Sequence, residues 1–360
     1  MKKGTISGVL SLLVLTIVLS GCGAVKTVNS SGENQTTSGN QNDKKELKKF
    51  NVGYLATPGH VLYFVAKEKG YFEEEGLDVQ LSLFSNSGEG LNAIAAGKLD
   101  AGSFGTAAPL TFISKGTDFT IFGGQQTEGA AIVALPDKAT KLTDLNSFKN
   151  KTVATVRLAT GDVVFRGALV QAGIDWKKDL TIKELDSPSS VLEAVKKGAV
   201  DAGIVWTPYI KLGEDQGLKV VEYSGDLLKG HTCCRQIALT SKVKENPQDY
   251  EKFTAALIKA YEFYTTNQAE TVDIISKYVK VDKEVIKAET YGGHISSDPD
   301  PDRSGVEDFW SFMNKSGYIS SDLKIDNYIN TSIYKNALDK VLMQYPNDEV
   351  YKKLKADFKE

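Results

Sequence analysis

The stretch Gly97-Lys-Leu-Asp-Ala-Gly-Ser-Phe104 recurs as Gly198-Ala-Val-Asp-Ala-Gly-Ile-Val205, about 100 residues later. Both copies carry Gly-x-x-Asp-Ala-Gly and run into a short apolar segment of strand character. What precedes each copy is also alike. Ahead of the first lie an apolar strand at residues 50–56 and a loop, Thr57-Pro-Gly-His60. A helix at 61–69 follows, with Val61, Leu62, Phe64 and Val65 on one side, then the alternating strand Leu77-Asp-Val-Gln-Leu-Ser-Leu83 and a helix at 88–97. Ahead of the second copy lie a strand at 152–156, a helix opening at Thr160-Gly-Asp162, a strand at 180–185 and a helix at 189–197. This β-α-β-α-β order, run twice, predicts an α/β chain with a parallel sheet flanked by helices in each half. Solenoid repeats are far shorter, so the pattern reads as two similar lobes.

Two extended segments can carry the chain between the lobes. Ala130-Ala-Ile-Val-Ala-Leu135 leads out and Arg235-Gln-Ile-Ala-Leu-Thr240 leads back. The division expected is a first lobe of residues 48–129 and 236–360 and a second of 130–235. From residue 246 on the chain is mostly amphipathic helix, most clearly at 250–267 and 271–278, and these helices are expected to wrap the first lobe. Two lobes joined by a double crossover enclose a cleft at the carboxyl ends of their parallel strands, where ligands meet open α/β sheets.

Lys+Arg total 43 and Asp+Glu 46, for a net charge of −3. That balance excludes a nucleic-acid partner held mainly through its phosphates. There is no Walker A pattern, and Gly102-Ser-Phe-Gly105 lacks the spacing of a dinucleotide fingerprint. The N-terminus reads as a targeting signal: Lys2 and Lys3, an apolar run over 9–19 too short to span a membrane comfortably, then Leu19-Ser-Gly-Cys22. Small residues before a cysteine resemble the bacterial lipobox. The expectation is a signal peptide at 1–21, a lipid on the Cys22 sulfur, and a flexible Ser/Gly/Asn/Gln-rich linker at 22–47. The body then stands outside the cell, anchored to its membrane, as a monomer. With Cys22 lipidated, only Cys233 and Cys234 remain, which rules out a long-range disulfide framework.

The segments Tyr54 to His60, Tyr63-Phe-Val-Ala-Lys-Glu-Lys-Gly-Tyr-Phe-Glu-Glu-Glu-Gly-Leu-Asp-Val79, Gly97-Lys-Leu-Asp-Ala-Gly102, Leu145 to Val153 and Val205-Trp-Thr-Pro-Tyr209 together resemble the solute-binding lipoproteins of bacterial ABC importers. The resemblance is to their nitrate/sulfonate/taurine and thiamine-precursor group and covers residues 48–280. It implies a type II periplasmic-binding-protein fold whose cleft closes on a small solute of sulfonate, nitrate or pyrimidine type. It also implies delivery to the transmembrane subunits of a permease with a separate ATPase, and no cofactor. The ligand loops implied contain His60, Gly105 to Ala107 with Thr106, Gln125 to Thr127, Thr160, Gly161, Asp162 and Trp206. Backbone amides at helix starts suit an anion. Asp162 departs from that logic, since its carboxylate competes for the same amides or caps the helix.

His231-Thr-Cys-Cys-Arg-Gln236 holds the two remaining cysteines and one of three histidines. Thiols and imidazole suit thiophilic metals, so His231, Cys233 and Cys234 form a candidate site for a metal or organometal. The bland reading makes the cysteines small buried hydrophobes. Arg235 is expected to face the ligand and to lower the thiol pKa values. His60 and His294 are expected to turn toward the cleft. Trp206 with Tyr209 forms either an aromatic wall or core packing. Asp298-Pro-Asp-Pro-Asp302 lacks the Gly and Glu of a calcium loop and reads as a rigid, solvated loop. Two enzyme readings stand against the binding protein. One is a pyrimidine synthase of thiamine biosynthesis, which resembles this fold but carries a longer cysteine run. The other is a Cys–His hydrolase with His231 or His294 as base.

Overall fold

Asp100 and Asp201, the aspartates of the repeated stretch, do the same job in each half. Asp100 Oδ2 accepts from Asn51 N at 2.8 Å, and Asp100 N donates to Asn51 O at 2.8 Å. Asp201 Oδ2 accepts from Thr152 N at 2.9 Å, and Asp201 N donates to Thr152 O at 2.7 Å. Gly97 and Gly198 ahead of them sit at φ 72° and 67°, where a side chain is strained. The repeat is therefore a turn followed by a staple that ties the third strand of each lobe to its first.

The structure, a computed structural model, describes residues 46–359. The expected signal peptide and the lipidation cysteine Cys22 lie outside the described residues. The strands are β1 Lys48–Leu55, β2 Leu77–Phe84, β3 Ala101–Gly105, β4 Phe119–Glu128, β5 Ala130–Ala134, β6 Thr152–Val156, β7 Thr181–Leu185, β8 Ala202–Trp206, β9 Lys219–Tyr223, β10 Thr232–Leu239 and β11 Ile295–Ser296. They form two mixed sheets, ordered β11-β4-β10-β3-β1-β2 and β7-β6-β8-β5-β9. In the first, β1 runs parallel to β2 and β3, while β10 is antiparallel to β3 and β4. In the second, β6 runs parallel to β7 and β8, and β5 is antiparallel to β8 and β9. Each lobe thus has a parallel triplet extended by an antiparallel strand next to a crossover.

The outward crossing is immediate. β4 ends at Glu128, φ 59°, and Gly129, φ 99°, passes the chain to β5. The return differs from the sequence expectation. β10 lies wholly in the first sheet from Thr232, so the chain has already crossed through residues 224–231 and not at 236. Gly230, at φ 71°, makes the turn that sequence periodicity does not register. Hydrogen bonds knit the two crossings together: Glu128 N donates to His231 O at 3.1 Å, and Gly230 N to Glu128 Oε1 at 2.6 Å.

Phe50 and Val52 of the first sheet and Tyr63 of the helix Val61–Glu68 pack in one cluster with Phe253 and Leu257 of the helix Pro247–Thr266, an amphipathic stripe covering one face as expected. The C-terminal part does not stay on the first lobe, however. Val306, Phe309 and Met313 of the helix Arg303–Lys315 share one apolar cluster with Phe104 and Leu110 of the first lobe and with Val163 and Val164 of the second. Trp176 Nε1 also donates to Ser316 O at 2.9 Å. The apolar stripe of this helix is wide enough to serve two neighbours, and sequence pattern alone does not say which.

Asp298-Pro-Asp-Pro-Asp302 is not the solvated loop expected. Pro299 and Pro301 are buried, and Gly124 N of β4 donates to Pro299 O at 2.9 Å. A Cβ on Gly124 would lie 1.9 Å from Asp300 O, so glycine is what lets this loop dock.

Candidate ligand site

Leu55, Gly105, Val156 and Trp206 are the last residues of β1, β3, β6 and β8. All four line one cavity between the sheets. Parallel strands in both lobes therefore end at the same place, where α/β sheets bind ligands. Counted to its open mouth, the empty space is about 520 Å³. Its walls are mostly apolar: Leu55, Ala130, Val156, Ile204, Val205 and the ring of Trp206. Polar groups come from Thr57, Ser87, Gln126, Thr160 and Arg157.

The helix Thr160–Gln171 starts at this cavity, with Thr160 and Gly161 in its wall. Its N-cap is Ala159, and no side chain caps it. The first ladder bond is Val163 N to Ala159 O at 3.3 Å, so the amides of Thr160, Gly161 and Asp162 precede the ladder. They carry the positive end of the helix dipole. Gly161 is packed so closely that a Cβ would lie 2.5 Å from Ala130 Cβ. Arg157, exposed to 65 % of its side chain and 3.6 Å from Glu184 Oε2, adds a cation at the wall that this carboxylate partly offsets.

The first lobe's helix start is differently employed. Gly105 N donates to Ser87 Oγ at 3.2 Å, Ala107 N donates to Thr160 Oγ1 at 3.4 Å, and Thr106 N donates to Cys233 O. Thr106 and Ala107 do not line the cavity, contrary to expectation, because their amides serve contacts within and between the lobes. Thr57 Oγ1 and Thr207 Oγ1 meet at 3.2 Å, and Asn86 Nδ2 donates to Asp186 O at 3.2 Å, so the lobes touch at several points.

Asp162 does not compete for an anion. Its carboxylate is fully buried against Arg166, whose Nε lies 2.9 Å from Oδ1 and 3.0 Å from Oδ2. Burial pushes the Asp162 carboxyl up to about 6, opposed by the Arg166 charge. Arg166 also reaches Glu184 Oε1 at 2.9 Å and lies 4.4 Å from the Trp176 ring.

The histidines do not converge on the cavity either. His60 is 0 % exposed and its Nδ1 accepts from Leu55 N at 3.2 Å, bracing the turn after β1. Burial lowers its pKa to about 3, so it is neutral. His231 sits at the return crossing, where Nε2 and Ser224 Oγ are 3.0 Å apart, and burial lowers its pKa to about 4. Ser224 Oγ also accepts from Ala130 N at 3.2 Å, so His231 braces both crossings. His294 is exposed and stacks on Tyr223, with ring centroids 3.7 Å apart.

Cys233 and Cys234 do line the cavity, as free thiols 8 % and 3 % exposed. His231 does not join them. No group of three His, Cys, Asp or Glu side chains able to hold a metal ion occurs among the described residues. Arg235 faces away, donating to Gln126 O at 3.0 Å and Cys234 O at 2.9 Å and pairing with Asp302 at 3.2 Å. The expected lowering of the thiol pKa is reversed at Cys234, where the contact with Cys233 and burial push it up.

Gln125 and Thr127 leave the site to the residue between them. Gln125 Nε2 donates to Gly59 O at 3.2 Å, and its Oε1 accepts from Gln236 Nε2 at 2.8 Å. Thr127 lies on the side of Arg235 and the Asp298–Asp302 loop. Gln126 lines the cavity, with its Oε1 buried and without a hydrogen-bond partner among the described residues. Strand alternation would have singled out Gln126 once the register of β4 was known. Leu55 and Arg157 were legible from the rule that ligands meet strand ends. Trp206 lines the wall, with Tyr209 edge-on at 6.1 Å, so its ring does both jobs left open by the sequence.

Comparison with known proteins adds four findings. The model of the NMT1-like family matches residues 43–279. A Bacillus subtilis protein provisionally named an aliphatic sulfonates-binding protein is 26% identical over 349 residues, covering 94% of this chain and 98% of that one. Among solved structures, the periplasmic nitrate-binding protein of Synechocystis PCC 6803 superposes with a TM-score of 0.71 at 18% identity, covering 82% of this chain and 89% of that one. The zinc-bound ligand-binding component of an ABC-type import system from Staphylococcus aureus gives 0.70 at 18% identity, covering 81% and 99%. The two structures establish a periplasmic-binding-protein fold.

Proposed function

The chain belongs to the NMT1-like family, and we propose that it is the extracytoplasmic solute-binding subunit of an ABC importer, taking a small organic anion of the sulfonate kind into the cavity between its lobes. The observation that carries this reading is the uncapped start of the helix Thr160–Gln171, facing a cavity whose other walls are mostly apolar. Amides at a helix start bind anionic oxygens, and Arg157 adds charge at the same wall. An alkyl body suits Leu55, Val156 and Trp206. Nitrate alone would leave the apolar walls without a partner, and a neutral pyrimidine would leave the amides without a charge to meet.

Capture proceeds by hinge closure about the two crossings, with the solute shifting the balance toward the closed form. The names of the relatives support import through a permease whose transmembrane subunits receive the solute and whose ATPase is separate. Leu19-Ser-Gly-Cys22 supports lipid anchoring at the outer face of the cell membrane. Against a Cys–His hydrolase, neither candidate base is paired with a thiol: His231 bonds to Ser224, and His294 stacks on Tyr223.

Isothermal titration of the full chain with methane- to hexanesulfonate, nitrate and an aminopyrimidine tests the reading. Affinity should rise with alkyl length until the cavity is full, by about 0.8 kcal/mol per methylene. Heat from the neutral pyrimidine alone would overturn it.

A further inference from the structure

Cys233 and Cys234 are neighbours on β10, and neighbours on a regular strand point to opposite faces. Here both line the same cavity. The cause is local: β10 slips register against β4 between Thr232 and Cys234 and again between Cys234 and Arg235. The two sulfurs end 3.8 Å apart.

That distance selects a geometry. An atom bonded to each sulfur at about 2.3 Å spans it at a near-tetrahedral angle, while a linear two-thiolate metal needs a gap of about 4.6 Å. The occupant must therefore be bent. It must also complete its own valence, because among the described residues no third His, Cys, Asp or Glu side chain joins the pair. Gln126 Nε2, 3.8 Å from Cys233 Sγ, is a donor and not a metal ligand. Most of the remaining wall, Leu55, Ala130, Val156, Ile204, Val205 and Trp206, is apolar and suited to an organic group.

We propose that this dithiol binds a trivalent arsenic centre carrying one organic substituent, with the substituent against Leu55, Val156 and Trp206. The inference rests on the reading above that the cavity admits a solute when the lobes part. In the reaction R–As(OH)2 meets two thiols. Two As–O bonds break, two As–S bonds form, and each hydroxide leaves with a thiol proton as water. Arsenic stays trivalent, no electrons move, and no oxidant is needed. The two thiol protons are the ones that leave in the water.

The test uses the full chain with Cys22→Ala in every protein, so that only two thiols are counted, and phenylarsine oxide as the probe. Wild type at 233 and 234 should take one phenylarsenic per chain by mass and lose both titratable thiols. A small dithiol should reverse this, and a monothiol should not. Cys233→Ser and Cys234→Ser should each weaken binding by about 100-fold or more, the loss of a chelate. Their melting curves, compared with wild type, show that the fold is retained. Equal labelling of the double serine variant, or two thiols left titratable, overturns the inference. Butanesulfonate titration of the same proteins separates the two readings. Sulfonate binding without arsenical capture sinks the dithiol site alone, and arsenical capture without sulfonate binding sinks the sulfonate reading alone.

Discussion

Thr160 Oγ1, at the first turn of a second-lobe helix, donates to the carbonyl of Cys233 in the first lobe at 3.3 Å. The same oxygen accepts from Ala107 N at 3.4 Å, and Thr106 N converges on the Cys233 carbonyl. One hydroxyl thus latches the closed lobes at the wall of the cavity. Gly105 makes the approach possible, since a Cβ there would lie 2.8 Å from Thr160 Oγ1.

Removing the latch should shift the hinge without unfolding either lobe. Thr160→Ala gives up a net hydrogen-bond contribution of about 1 kcal/mol, which moves the open–closed ratio about five-fold. Small-angle scattering of the variant should show a larger radius of gyration than wild type, with an unchanged melting temperature. Superimposable profiles would mean that the hydroxyl latches nothing.

Arg166 and Asp162 form the buried pair behind the site, with side chains 5% and 0% exposed. Arg166→Met leaves the Asp162 carboxyl in the interior without its partner. Breaking such a pair from one side costs about 3–5 kcal/mol. Urea unfolding should show that loss in Arg166→Met and a much smaller one in Arg157→Gln, whose side chain is exposed.

Gly124→Ala should destabilise the chain by about 1–3 kcal/mol, because its methyl group meets the carbonyls of Asp298 and Asp300. Gly88→Ala, whose Cβ would meet its nearest neighbours at an ordinary 3.4 Å, is the control. If the two variants lose equally, docking of the Asp298–Asp302 loop does not explain the effect.

Acid should weaken the fold partly through its histidines. Burial holds His231 near 4 and His60 near 3, both below the ordinary value. Their contribution is complete above the unfolded pKa of about 6.5 and is lost as pH falls toward the folded values, about 1.4 kcal/mol per unit for each. Asp162 and Asp300, both pushed up to about 6 by burial, act in the opposite sense and gain stability as pH falls. The histidine share is therefore read as a difference. Between pH 6.5 and 5, His231→Gln should show a shallower loss of unfolding free energy than wild type. Parallel curves would remove His231 from the account.

The two-lobe plan was legible because Gly-x-x-Asp-Ala-Gly is a structural device, with Asp100 and Asp201 making the same backbone staple. Helix starts were legible too, which is why Thr160 and Gly161 stand at the cavity as expected. What failed was facing. Sequence gives Gln125 to Thr127 as one loop but not which of them faces the ligand, because the parity of β4 depends on bulges against β10, and one slipped residue reverses a face. His60 and Asp162 belong to the ligand loops that the resemblance implies, and His231 to the candidate metal cluster. Each instead found a partner inside the fold: Leu55 N, Ser224 Oγ and Arg166. Sequence shows which polar residues lie near a cleft but not which already have a partner within the fold.

The central claim is that the amides opening the helix Thr160–Gln171 hold an anion in the cavity. A crystal structure of the protein with butanesulfonate tests it most directly. The account predicts sulfonate oxygens within hydrogen-bond distance of the Thr160 and Gly161 amides, with the alkyl chain against Leu55 and Trp206. A sulfonate bound elsewhere, with those amides unengaged, would contradict it.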